Sequence, residues 1–403
     1  LKVCQRRSLT VSWHLDLPRV SRTRAHREES AVRELLPEEK QGARMGVCSS
    51  LTGTSTYGST KASQKDVLDY LQDGKSLPRL MLSGRLTGRE GQADFAAKPV
   101  LHSGPSPPRK LGPTVGFVCQ KGVKKGMPIF HNQDDFMVAR VGDTAAYGVF
   151  DGHGPKGELV SSLVASQLPE HLALGLRLRQ GWPEAARGAF EKAQSECAAR
   201  QKEGSLACDL SGTTATVLFD RRAAGRGAGR GRELLLAHVG DSRAVLGRQG
   251  VGEEKLTAVD LTVDHKASIE AEQARITAAG GVVRRGGAGD TNARVYVRNA
   301  LHPGLAMSRS IGDLVAHSIG VSDEPDVSML KAEETWRFVL LCSDGVWEFI
   351  SSQEAVDIVG RRPPTEAQAA AEELALEARR RWTQEDPDVV DDITVICVFL
   401  AEK

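Results

Sequence analysis

The chain has 403 residues, 40% of them hydrophobic, with 53 basic and 52 acidic side chains and a net charge of +1. That length suits one large domain or two ordinary ones with a buried core, and the balanced charge excludes the strongly basic character of a nucleic-acid-binding domain. The seven cysteines, Cys4, Cys48, Cys119, Cys197, Cys208, Cys342 and Cys397, include no C-x-x-C pair, which argues against a disulfide framework or a zinc knuckle and for a reducing, cytoplasmic setting.

Residues 1–44 begin at Leu1 and carry many arginines but no secretory apolar region. Two readings stand, an organellar transit peptide and non-native upstream sequence or tail. Transit peptides are poor in acids, so Glu28, Glu29, Glu34, Glu38 and Glu39 favour the second. Met45-Gly46-Val47-Cys48-Ser49-Ser50 then matches the N-myristoylation signal, with Cys48 open to palmitoylation. Two acyl groups would anchor the chain to a membrane where one would bind only transiently; the alternative is a chance match within a tail. Residues 45–114 are rich in Ser, Thr, Gly and Pro, with one short helical pattern at 66–71, and read as a disordered N-terminal tail. No apolar run approaches the roughly 18 residues of a membrane span.

Order is expected from Val115, in a single domain running over 115–403. Apolar runs at 136–140 and 145–150, separated by Gly142-Asp143, read as a hairpin. Helical patterns cover 158–172 and 183–201, the second opened by Pro183. Strand-like runs follow at 213–219, 234–239 and 244–246, the first two joined by a Gly/Arg-rich stretch at 221–232. A helix over 268–279 stops at Gly280-Gly281. The remainder predicts a buried strand at 338–342, helices at 354–359 and 365–382, and a closing strand at 393–400. Strands grouped among helices without strict alternation point to an α+β fold.

Three aspartates share one kind of address. Asp151 ends the run Tyr147-Gly148-Val149-Phe150, Asp344 follows Val339-Leu340-Leu341-Cys342, and Asp391 opens the last strand. Alone, each is best read as a turn residue, since Asp-Gly is a common turn pair. If the strands lie together, the carboxylates converge. Two such charges about 4 Å apart repel by roughly 4 kcal/mol at an effective dielectric near 20, a burden that calls for a cation. Oxygen-only ligands select Mg²⁺ or Mn²⁺.

Asn132-Gln133-Asp134-Asp135-Phe136, Phe150-Asp151-Gly152-His153-Gly154, Ser211-Gly212-Thr213-Thr214-Ala215, Gly240-Asp241-Ser242-Arg243, Asp264-His265-Lys266, Ser308-Arg309-Ser310-Ile311-Gly312-Asp313, Cys342-Ser343-Asp344-Gly345-Val346-Trp347 and Asp391-Asp392-Ile393-Thr394-Val395 follow one another in the chain. The series resembles the ordered signature of the metal-dependent Ser/Thr protein phosphatases, type 2C, in a plant- or protist-like form. The resemblance implies a central β-sandwich of two antiparallel sheets flanked by helices on both faces, with a metal centre in a cleft at one end. It implies hydrolysis of phosphoserine and phosphothreonine in proteins by a metal-activated bridging water at a two-metal centre. Asp151 would bridge the ions, Gly152 would offer its carbonyl, Asp344 and Asp391 would complete one shell, and Asp134 would hold metal-bound waters. Asp241 with Asp344 matches a weaker third-metal site. Thr214 and Asp313 fall in supporting motifs.

His153 is placed to protonate the leaving alkoxide, with a plain supporting role as its alternative. Two departures stand out. Gln133 occupies a position where many animal-type members carry Glu, and Ile129 stands where those members carry a phosphate-gripping Arg. Lys121, Lys124 or Lys125 would then meet the substrate phosphate as point charges, or simply be solvated. The segment 266–298 is expected as a flap, its Arg284, Arg285, Arg294 and Arg298 read as surface charge ahead of a partner site. The competing functions are a non-catalytic regulator on the same fold, disfavoured because Asp134, Asp151, Asp344 and Asp391 are all present, and a hydrolase of small phosphoesters. Phosphorylated proteins are the expected partners. With no long heptad repeat, a monomer is expected.

Overall fold

The computed structural model describes residues 82–83, 114–124, 131–141, 144–222, 231–285 and 293–400. Ten strands build a two-sheet sandwich: β1 (Val115–Gln120), β2 (Asp135–Val141), β3 (Thr144–Phe150), β4 (Ala215–Arg222), β5 (Arg232–Val239), β6 (Arg243–Arg248), β7 (Thr257–Asp260), β8 (Asp326–Lys331), β9 (Trp336–Cys342) and β10 (Ile393–Phe399). One sheet runs β2-β3-β4-β5-β8 and the other β7-β6-β9-β10-β1, with every pairing between these strands antiparallel. Leu82–Ser83, inside the segment expected as a tail, pairs with Val138 and Met137 on the outer edge of β2. The short helix expected at 66–71 lies outside the described residues.

Successive side chains on a strand point to opposite faces, and here both faces are covered. Phe136, Val138, Tyr147, Val149, Leu218, Leu234 and Leu236 meet Phe117, Leu246, Val339, Leu341, Ile396 and Val398 between the sheets. The alternate residues Met137, Phe150, Val217, Phe219, Leu235 and Val239 face the other way, into a second core. That core is closed by helices α1 (Gly157–Arg177) and α2 (Trp182–Glu203). On the far side Phe338, Leu340, Cys342, Val395, Cys397 and Phe399 pack under α4 (Ser352–Val359) and α5 (Ala367–Glu385). Double coverage explains why the central strands read as unbroken apolar runs rather than alternating ones. Each fully buried Phe or Leu in these layers contributes about 1.5–3 kcal/mol.

Local signals set several element ends. Ser351 and Glu354 form a reciprocal capping box at the start of α4. Gly204, at φ 72°, ends α2 in the left-handed conformation that glycine adopts without strain. Strands β1 and β7 were not expected, and nor was β8, a sheet edge whose residues are mostly exposed or half-buried. Its Asp-Val-Ser-Met-Leu-Lys pattern is too polar to resemble the doubly covered strands.

The predicted flap segment forms its own small unit. Helix α3 (Glu270–Ala278) and the strands Val282–Arg285, Ala293–Tyr296 and Pro303–Leu305 enclose a core of Ile276, Val295, Leu305, Met307 and Ile319. Two of its arginines serve the unit itself: Arg284 stacks over Tyr296 at 5.0 Å and donates to the Ala300 carbonyl, and Arg294 donates to the Gly304 carbonyl at 2.8 Å. The unit is tied back through buried Glu272, which accepts from Arg309, while Arg309 also pairs with Asp326 at 2.9 Å.

Candidate active site

Antiparallel registers bring the predicted motifs to one end of the sandwich. Asp134 precedes β2 and Asp151 follows β3, and Asp135 pairs with Phe150. Thr214 precedes β4 and Asp241 follows β5, and Ala215 pairs with Val239. Asp344 follows β9 and Asp391 precedes β10, and Cys342 pairs with Val395 in the second sheet. Arg243 pairs with Cys342, which adds the start of β6 to the same rim. A small sheet of two-residue strands, Ile311–Gly312, Gly212–Thr213 and Gly152–His153, gathers three further motifs there.

The carboxyls crowd. Asp344 and Asp151 lie close enough to act on each other's protonation. Burial, then the charges of Asp344, Asp134, Asp391 and Asp241, push Asp151 well above the usual carboxylate range. Burial, then Asp391 and Asp241, raise Asp344 to about 7. Burial, then Asp392, raise Asp134 well above its ordinary value even though its Oδ2 accepts from Ser343 Oγ and Thr394 Oγ1, both at 2.7 Å. Carboxyls that repel one another at close range need a shared proton or a cation between them. An oxygen-only set, buried or half-buried and mutually repelling, fits hard divalent cations.

Asp392, which the sequence reading passed over in favour of Asp391, holds the rim together. Its two oxygens accept from the backbone N–H groups of Gly122 and Gln133, each at 2.7 Å. Burial is the main cause that raises it to about 6. The doubled acid at the mouth of the last strand was the one signal that marked it. Asp391 instead stands half-open, with Lys124 Nζ at 3.8 Å. Burial alone would lower Lys124, and the opposing charges of Asp391, Asp392, Asp151 and Asp134 hold it above its ordinary value. Lys121 is a neighbour whose carbonyl accepts from Arg379, and Lys125 and Ile129 lie outside the described residues.

His153 Nε2 lies 2.6 Å from Asp313 Oδ2, which also accepts from Ser310 Oγ at 2.6 Å. Burial would lower the imidazole, but the charge and hydrogen bond of Asp313 outweigh it and raise His153. His153 Nδ1 is buried with no protein partner. Asp313 was expected only as a supporting residue; its contact with His153 spans 160 positions, and no local pattern records it. A Cβ on Gly212 would sit 2.1 Å from Asp313 Oδ2, so only glycine lets this pair cross. Thr214 Oγ1 accepts from the Asp151 N–H at 3.0 Å and shares a hydrogen bond with Ser242.

Two residues of the first motifs also serve the packing. Gly152, expected to offer its carbonyl to a metal ion, has a packing reason to be glycine as well: a Cβ there would meet the Gln133 carbonyl at 2.4 Å. Gln133, which stands where many animal-type members carry Glu, donates to the Gly154 carbonyl at 2.7 Å and reaches Glu158 at 3.3 Å. It ties the β2 entry to the turn after Asp151.

Asp241 is almost fully buried, and Lys266 Nζ contacts its Oδ2 while Oδ1 has no partner. Nearby, His238, His265 and Asp326 bring ligand-type atoms within 4.8 Å of one another. The histidine group is poorly built for a metal. Its rings stack 4.4 Å apart and 4° from parallel, so their in-plane lone pairs do not converge on one point. His265 Nδ1 also accepts from the Gly240 N–H, which leaves the neutral ring's proton on Nε2. The Gly46 and Cys48 acylation signal lies outside the described residues. Among the described residues, no helix is long and apolar enough to cross a membrane.

Comparison with known proteins identifies the family and the fold. Residues 114–386 match the family model described as Protein phosphatase 2C. The chain is 36% identical over 301 residues to "Probable protein phosphatase 2C 64" of Oryza sativa, covering 72% of this chain and 66% of that protein. It is 33% identical to "Probable protein phosphatase 2C 61" of Arabidopsis thaliana, covering 73% and 86%. In fold it is similar to a serine-threonine phosphatase 2C from Toxoplasma gondii, with a TM-score of 0.57 at 21% identity, covering 80% of this chain and 99% of that one. The chain belongs to the protein phosphatase 2C family, the metal-dependent protein serine/threonine phosphatases.

Proposed function

We propose that this chain hydrolyses phosphoserine and phosphothreonine in proteins at a centre of two divalent cations, Mg²⁺ or Mn²⁺. Asp134, Asp151, Asp344, Asp391 and the Gly152 carbonyl hold them. The observation that carries the proposal is the gathering of Asp134, Asp151, Asp344 and Asp391 at one rim of the sandwich, where half-buried Asp151 and Asp344 raise one another. When bound, such cations ionise water near neutral pH and neutralise charge on the phosphoryl oxygens.

The chain's own residues supply the remaining roles. Thr214 fixes the backbone of Asp151 through its hydroxyl. Ser343 and Thr394 fix one oxygen of Asp134, which leaves the other for the cleft. Asp313 anchors His153 through Nε2 and favours the imidazolium, which keeps available the proton that the leaving serine or threonine oxygen needs. Lys124, beside Asp391, offers a positive charge to the substrate phosphate. The test is release of phosphate from a phosphothreonine peptide by purified protein in Mn²⁺ and again after chelation. Turnover that survives chelation, or no turnover in metal, would reject the proposal.

A further inference from the structure

The leaving oxygen of a phosphothreonine carries the rest of the substrate protein. A group that protonates this oxygen therefore lies against the peptide, whereas the phosphoryl oxygens face the carboxylate rim. His153 fills that place in the proposed function, so side chains around its turn are the ones that meet residues flanking the phosphothreonine. An exposed shelf stands there. His153 pairs with Gly212. Beyond that pair lie exposed Gly154, Pro155 and Lys156 on one side and exposed Asp209 and Leu210 on the other. The two stretches are in close contact: a Cβ on Gly154, at φ 82°, would sit 2.0 Å from the Leu210 carbonyl. Glycine is the residue that tolerates both that approach and that backbone conformation.

The backbone under Leu210 is fixed from several directions. The carbonyls of Cys208, Asp209 and Ser211 accept from the N–H groups of Leu314, Val315 and Asp313, at 3.0, 3.1 and 2.9 Å. The Cys208 N–H donates to Gln201 Oε1 at 2.6 Å, and the Lys156 N–H donates to Ser211 Oγ at 2.9 Å. None of these bonds uses the Leu210 side chain, which is 41% exposed while Cys208 and Ser211 on either side of it are buried. A rigid backbone thus holds an apolar side chain in water, two residues before the partner of His153. Such a surface can bind without the cost of ordering a loop.

We propose that Leu210 is a specificity-determining residue, packing against an apolar side chain next to the phosphothreonine and selecting it over a small polar one. This rests on the phosphatase reading, with His153 beside the leaving oxygen. Contact between two leucines removes apolar surface of both from water, and a serine in the same place offers almost none.

The experiment measures kcat/KM of the full-length protein in Mn²⁺ on two phosphothreonine peptides and on p-nitrophenyl phosphate. The peptides are alike except that both residues flanking the phosphothreonine are Leu in one and Ser in the other. The parent should favour the Leu peptide by about three- to tenfold, the ratio for covering roughly half of a leucine. Leu210→Ala should bring that ratio close to one, and Leu210→Met, which keeps the apolar bulk, should retain it. Aryl phosphate turnover should be the same in all three proteins, because that substrate has no flanking residues. A parent without the preference, or a Leu210→Ala protein that keeps it, overturns the proposal. Equal loss on all three substrates in Leu210→Ala marks a purely structural role and overturns it too. A parent without chelator-sensitive turnover of the aryl phosphate fails at the metal centre instead, and the proposal falls with the phosphatase reading.

Discussion

Crowded carboxylates should make the metal-free protein respond to pH in the direction opposite to ordinary acid denaturation. Asp344 stands at about 7 when folded against an ordinary value of 3.8. A folded-state value above the unfolded one means that the folded chain holds the proton more tightly. That stabilisation is present in full below the unfolded value and is lost as pH rises through about 7. At about 1.4 kcal/mol per pH unit, the interval corresponds to roughly 4 kcal/mol. Asp344→Asn removes the charge while keeping much of the shape. In chelator at pH 8 it should therefore be more stable than the parent, by roughly 2–4 kcal/mol once the remaining aspartates have readjusted. At pH 4 the two should be close. Added Mn²⁺ should reverse the order, because a ligand that binds only the folded state stabilises it by mass action, and the variant lacks a ligand oxygen. The assay is urea unfolding at both pH values, with chelator and with Mn²⁺, alongside turnover, which the variant should largely lose. If the variant is the less stable form in chelator at pH 8, the carboxylates do not repel one another as argued.

His153→Gln should slow hydrolysis of a phosphothreonine peptide by about 10²–10⁴-fold. It should slow an aryl phosphate much less, since a good leaving group needs no proton; equal losses on both substrates would contradict the acid role. Lys124→Ala should raise KM for the phosphopeptide with a smaller change in kcat, and an unchanged KM would remove Lys124 from the phosphate site. Mass spectrometry of the mature N-terminus from a eukaryotic host should show myristoylated Gly46, and an intact unmodified residue ahead of Met45 would dismiss that reading.

Most of the core strands, the order of the motifs and the aspartates at strand ends were legible because each is a local pattern, whereas β1 was read only as the start of order. An apolar run followed by Asp-Gly is written in a few adjacent residues, and its meaning survives without knowledge of the partner strand. Strand β8 escaped because edge strands carry little apolar signal.

The partnerships at the site belong to the tertiary structure. His153 with Asp313, Asp392 with the N–H groups of Gly122 and Gln133, and Lys266 with Asp241 join residues far apart in the chain. Which carboxylate meets a histidine, a backbone amide or an ammonium depends on sheet register, and a shift of one residue would turn each side chain to the opposite face. Composition and spacing thus told which chemical groups the cleft contains. The packing of two antiparallel sheets decided which of them touch, because hydrogen bonds and charge pairs act through space over a few ångströms whatever the distance along the chain.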